Sequence, residues 1–182
     1  MGDDIPNTTT EHHPVHPLAR LARATVEAYL TGGELPYPDP LAPELQERAA
    51  AFVSLHLEDG SLRGCIGTFQ PVQENIAQEV IANAISAATR DYRFWPVQPD
   101  ELPRLRYSVD ILSLPEPITD PAQLDPERYG LIVENGSRRG LLLPAIPGVA
   151  TAEIQLAICR EKAGIGFAEP VQLYRFTVRR YE

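Results

Sequence analysis

Lysine is almost absent from this chain. Lys162 is the only one, and arginine supplies the rest of the 16 basic residues. Against 25 acidic residues this leaves a formal net charge of −9. A chain so short of positive charge lacks the basic face that broad nucleic-acid binding needs. It also lacks the polybasic patch that docks on anionic lipid. Cysteine is scarce too, with only Cys65 and Cys159, and they form no CxxC pair. That excludes a disulfide framework, a zinc ribbon and a thioredoxin-like site. No apolar run approaches the roughly 20 residues of a membrane span. The opening MGDDIPNTTT has neither the basic end nor the apolar stretch of a signal peptide. We expect a reduced, cytoplasmic protein with no membrane segment. There is no strand–GxGxxG–helix unit and no Walker loop. No His, Asp and Glu set stands at metal-ligand spacing. We therefore expect neither a metal nor another cofactor.

What is present suits a folded domain. Hydrophobic residues make up 43% of 182, enough for a self-sufficient core at this length. Residues 1–16 are polar and carry Pro6, Pro14 and a threonine run, which reads as a disordered tail. The tail holds His12, His13 and His16, a cluster expected to bind metal adventitiously at most. Residues 17–182 read as a single domain.

Within it, Leu18, Leu21, Ala22, Val26 and Tyr29 recur at helical spacing, so 17–30 is a helix ended by Gly32-Gly33. Residues 44–50 suggest a short helix. A long helix is expected over 71–90, with Ile76, Val80, Ile81, Ala84, Ile85 and Ala88 inward. The alternation over 104–114 predicts a half-buried strand. A second hairpin is expected over 129–144 about Asn135-Gly136, with 140–143 as a central strand. A helix over 151–162 should bury Ile154, Ala157 and Ile158, and a final strand should run over 171–181. Helices interleaved with hairpins predict an α+β fold, an antiparallel sheet flanked by helices.

The stretch 52–67 is the most informative. Phe52-Val53-Ser54-Leu55-His56-Leu57 and Leu62-Arg63-Gly64-Cys65-Ile66 alternate about Asp59-Gly60. A two-residue turn there pairs His56 with Arg63, Leu55 with Gly64 and Ser54 with Cys65. Val53, Leu55, Leu57, Leu62 and Ile66 then face the core, and Ser54, His56, Arg63 and Cys65 share the other face. Two glycines inside a strand mark the close approach of a ligand or another backbone, which makes Gly64 and Gly67 candidate ligand contacts. Cys65 beside Arg63, with His56 diagonal to it, is the minimum set for an activated thiol, His56 serving as base. Arg63 could equally hold a carboxylate or phosphate. Cys65 could also be a small buried apolar group, with Arg63 in a structural ion pair to Asp91 or Asp110. Asp91-Tyr92-Arg93-Phe94-Trp95 reads as a loop stapled to the core by Phe94 and Trp95, with Asp91 and Arg93 as candidate polar anchors of a pocket wall.

Leu62-Arg63-Gly64-Cys65-Ile66-Gly67-Thr68-Phe69 resembles the signature of the AMMECR domain family. Ala87-Ala88-Thr89-Arg90-Asp91-Tyr92-Arg93-Phe94, Tyr107 to Pro117, Tyr129 to Val133, Arg139 to Pro144 and Lys162-Ala163-Gly164 resemble further family blocks in the same order. The resemblance begins at about Pro17. The helix from Thr151 departs from it by lacking aromatic residues. The resemblance implies one domain with two unequal lobes and a cleft between them near the signature. It also implies association with a Memo-like protein and a radical SAM enzyme, as protein A of the AmmeMemoRadiSam system. It implies no particular reaction. Two functions follow as expectations. In one, the cleft binds a small anionic ligand or peptide end, an unknown small molecule, with or without Cys65 chemistry. In the other, the protein is a non-catalytic adaptor and Cys65 is structural.

Overall fold

The computed structural model describes residues 15–38, 40 and 42–182. Most of the expected tail, with His12 and His13, lies outside them. His16 is described. Its Nδ1 accepts the Leu18 N–H at 3.2 Å, capping the first helix, and its ring lies 4.2 Å from that of Tyr181.

Two four-stranded antiparallel sheets organise the chain. The first contains β1 (Ala51–His56), β2 (Leu62–Gly67), β3 (Arg106–Leu112) and β8 (Val178–Tyr181), in the order β2-β1-β3-β8. The second contains β4 (Glu116–Ile118), β5 (Gly130–Asn135), β6 (Arg138–Leu142) and β7 (Gln172–Phe176), in the order β4-β7-β5-β6. Helices α1 (Pro17–Thr31), α2 (Pro43–Gln46) and α3 (Ile76–Thr89) accompany the first sheet, and α4 (Ala152–Ala163) packs on β5 and β6 of the second. The α+β class and antiparallel pairing are as expected.

Alternation decides which face of the first sheet is dry. Val53, Leu55, Val109 and Ile111 point into a core with Val26, Val80, Ala84 and Ala87 of α1 and α3. The apolar stripe of α1 is as read, except that Tyr29 is exposed. Helix α3 starts later than expected, at Ile76, after the N-cap Asn75, whose side chain accepts the Gln78 N–H. The preceding residues form a loop held by Glu79, which is fully buried. Its carboxylate accepts the Thr68 hydroxyl and the Val72 and Gln73 N–H groups.

Three further expectations are corrected. The final segment is two strands, broken at Thr177, and it passes from the second sheet to the first. Ser113 N–H donates to the Thr177 carbonyl, and Thr177 N–H donates to the Ser113 hydroxyl, which pins the changeover. Strand β6 is an edge strand, and its apolar end is buried on both faces because Leu142 packs under α4 while Leu141 packs on the cluster of Leu112, Ile132 and Phe176. Helix α4 buries Gln155 and Cys159, while Ile154 is exposed. β4 was unforeseen because it holds Pro117, which an edge strand tolerates.

Candidate functional site

The signature is strand β2, one edge of the first sheet, and each residue type in it meets a particular neighbour. Ser54 opposes Cys65 and Leu55 opposes Gly64, as the alternation requires. Beyond that the register shifts, and His56 opposes Leu62. The cause is a loop longer than the expected two-residue turn. Gly60 N–H donates to the Leu57 carbonyl, Leu57 N–H donates to the Ser61 carbonyl, and the Asp59 carboxylate accepts the Ser61 N–H. The extra residue in β2 is Arg63, a bulge without a partner on β1.

Arg63 therefore does not stand opposite His56. Its Nε and Nη2 donate to the two Glu101 oxygens at 2.7 and 2.9 Å, and the pair is mostly buried. The Arg63 hydrogen bonds hold the Glu101 carboxyl below its ordinary range. Glu101 sits in a 3-10 turn, Pro99–Arg104, and also accepts the Gln98 N–H at 2.8 Å, a pairing that no sequence pattern announces.

Gly64 and Gly67 lack side chains because protein occupies the space. A methyl group on Gly64 would lie 2.3 Å from the Ala87 carbonyl oxygen of α3. One on Gly67 would collide with the Phe52 ring and the Ala51 carbonyl. Both are close approaches of protein to protein, which is the second of the two options that strand glycines signal.

The Cys65 thiol lies 3.2 Å from the Ser54 hydroxyl, which donates to it. Burial pushes the thiol pKa up, and the Ser54 hydrogen bond and the Arg93 charge only partly oppose this. Asp110 and Asp91 raise it further. Asp110 is itself buried and takes both its hydrogen bonds from Arg180, at 2.7 and 2.8 Å. His56 is not the thiol's hydrogen-bond partner. It lies on the same face as Ser54, directly across from Arg106 on β3.

The backbone of Cys65 faces outward from the sheet edge, and Asp91 and Arg93 close it off. The Cys65 N–H donates to Asp91 Oδ2 at 2.9 Å, and its carbonyl accepts from Arg93 Nη2 at 3.3 Å. Arg93 also donates from Nε and Nη2 to the two Asp91 oxygens. Side chains thus take the place of a neighbouring strand on an edge that would otherwise invite pairing. The Arg93 hydrogen bonds bring the Asp91 carboxyl down to about 2, against the cost of its burial. Phe94 lies under both guanidinium groups, 5.9 Å from Arg63 and 5.5 Å from Arg93.

The same loop projects two aromatics outward. Tyr92 is 95% exposed and Trp95 is 89% exposed. The expected stapling of Trp95 to the core is corrected, because Val97 takes that place at 1% exposure.

The AMMECR1 family model matches residues 19–181. A protein of Thermotoga maritima is 53% identical over 170 residues, covering 92% of this chain and 98% of its own length. A Clostridium acetobutylicum protein is 46% identical over 169 residues, which are 91% of this chain but only 36% of that protein. The crystal structure of an uncharacterized protein of Pyrococcus horikoshii superposes with a TM-score of 0.82 at 37% identity, covering 90% of this chain and 88% of that one. No helix among the described residues is long and apolar enough to cross a membrane.

Proposed function

The chain belongs to the AMMECR1 family, and on that premise we propose that it works as a non-catalytic adaptor that docks a partner protein on the edge formed by β2 and the Asp91–Pro96 loop. One observation carries this reading. The polar groups of the signature are satisfied within the protein, whereas Tyr92 and Trp95 beside them stand in solvent on a braced loop. Exposed tryptophan and tyrosine on a rigid support are the residue types that dominate protein–protein binding energy. A nucleophilic role for Cys65 has less support, since its surroundings favour the neutral thiol. The Clostridium relative supports coupling to another protein unit, because almost two thirds of that polypeptide lies outside the match. The partners suggested by the family resemblance are the Memo-like protein and the radical SAM enzyme.

Titration calorimetry of the full chain against those two proteins tests the proposal. Combined Tyr92→Ala and Trp95→Ala substitution should weaken the complex at least tenfold, or about 1.4 kcal/mol. Cys65→Ser should leave affinity unchanged. Loss of binding in Cys65→Ser, with full affinity in the aromatic double variant, would reverse the assignment in favour of thiol chemistry.

A further inference from the structure

A pocket opens at the end of β1 and β3, beside the hairpin loop. Its volume is about 420 Å³, within the range of small-molecule sites. Leu57 and Leu105 contribute apolar lining. His56 and Arg106 are direct cross-strand partners, and Ser108 stands two residues along from Arg106, so the three share one face of the sheet. All three line the pocket. Among the described residues, the His56 ring, the Arg106 guanidinium and the Ser108 hydroxyl make no hydrogen bond or ion pair. Arg106 thus differs from Arg63, Arg93 and Arg180, each held by a carboxylate.

Two carboxylates line the same pocket, Glu58 and Glu182. Neither forms an ion pair with Arg106 among the described residues. Charges of both signs therefore face one space without neutralising each other. Arg23 also lines the pocket but is paired with Glu27. A simple anion would meet the two glutamates, and a simple cation would meet Arg106 and Arg23. We propose that this pocket binds a small zwitterion with an apolar body, a free amino acid or dipeptide, its carboxylate on Arg106, His56 and Ser108 and its ammonium on Glu58 and Glu182.

This site lies apart from the Tyr92–Trp95 loop, so it stands or falls independently of the adaptor reading. Backbone amide NMR of the full chain tests it, with L-leucine and leucyl-leucine as probes. 4-Methylpentanoate and 3-methylbutylamine are the same body with one charge each. Leucine or the dipeptide should move the resonances of residues 56–60 and 105–108 at millimolar concentration. The stronger of the two identifies the ligand length. Either single-charge analogue should bind at least about tenfold more weakly. Arg106→Gln should weaken the zwitterion about tenfold and abolish its advantage over 3-methylbutylamine. Glu58→Gln should reduce its advantage over 4-methylpentanoate. Both residues are exposed, so the spectra of the variants should otherwise match the parent. The proposal is overturned if neither zwitterion shifts these resonances, if a single-charge analogue binds as well, or if Arg106→Gln changes nothing.

Discussion

Gly64→Ala separates a glycine required by architecture from one required by a ligand. The added methyl would lie 2.3 Å from the Ala87 carbonyl oxygen, and real Cβ atoms essentially never approach within 3.0 Å. The obstacle is backbone inside α3, so no rotamer relieves it. Either the helix or strand β2 must retreat by about 1 Å, and a gap of that size forfeits up to half of each affected dispersion contact. The helix buries Ile76, Ala77, Val80, Ala84, Ala87 and Ala88 against the sheet and α1. Overpacking of this kind costs about 1–3 kcal/mol, and the rigid obstacle puts the cost near the upper end. The gain from replacing a strand glycine by alanine offsets about 0.5–1 kcal/mol. The expected net loss is about 2 kcal/mol. For a chain of this size that lowers the melting temperature by roughly 4–8 °C. Urea unfolding followed by circular dichroism measures it as a lower midpoint at unchanged slope. A loss below about 0.5 kcal/mol, the range of an ordinary surface change, would refute the close-approach argument and return Gly64 to the ligand contacts.

Two other outcomes follow from the same neighbourhood. Asp91 has a depressed carboxyl pKa of about 2, against about 3.9 in an unfolded chain. Its contribution is therefore complete above about pH 4 and lost as the pH falls toward 2, worth about 1–2 kcal/mol once the exposure of Arg93 is allowed for. Asp91→Asn should be less stable than the parent at pH 6, with the difference shrinking on acidification, and a pH-independent difference would contradict the ion-pair account. Alkylation of Cys65 in the folded protein should show an apparent pKa above the free-thiol value of about 8.5. Cys159, whose thiol burial pushes up to about 12, should react only on unfolding. A Cys65 value well below 8.5 would restore the activated thiolate.

Much of this protein follows from local pattern. Alternation in Phe52–His56 and Leu62–Ile66 placed both strands, and Ser54 opposite Cys65, because a one-residue slip would turn the whole apolar set to the wrong face. Helical periodicity located α1, and Gly32 closes it in the left-handed region at φ 73°. The block from Leu62 to Phe69 sufficed to identify the family. Tertiary structure alone decided what these residues touch. No local rule says that Arg63 meets Glu101, 38 positions away, or that the Gly64 gap is filled by α3. The bulge that redirects Arg63 arises from a loop one step longer than Asp59-Gly60 suggested. The exposure of Trp95 depends on Val97 taking the core position. The strand change at Thr177 is invisible in an alternation that runs through it unbroken. Periodicity reports which face of an element is apolar, but the partner of a polar side chain is set by which distant segments the core brings together. The side chains of His56, Arg106, Glu58 and Glu182 meet in one pocket for that reason.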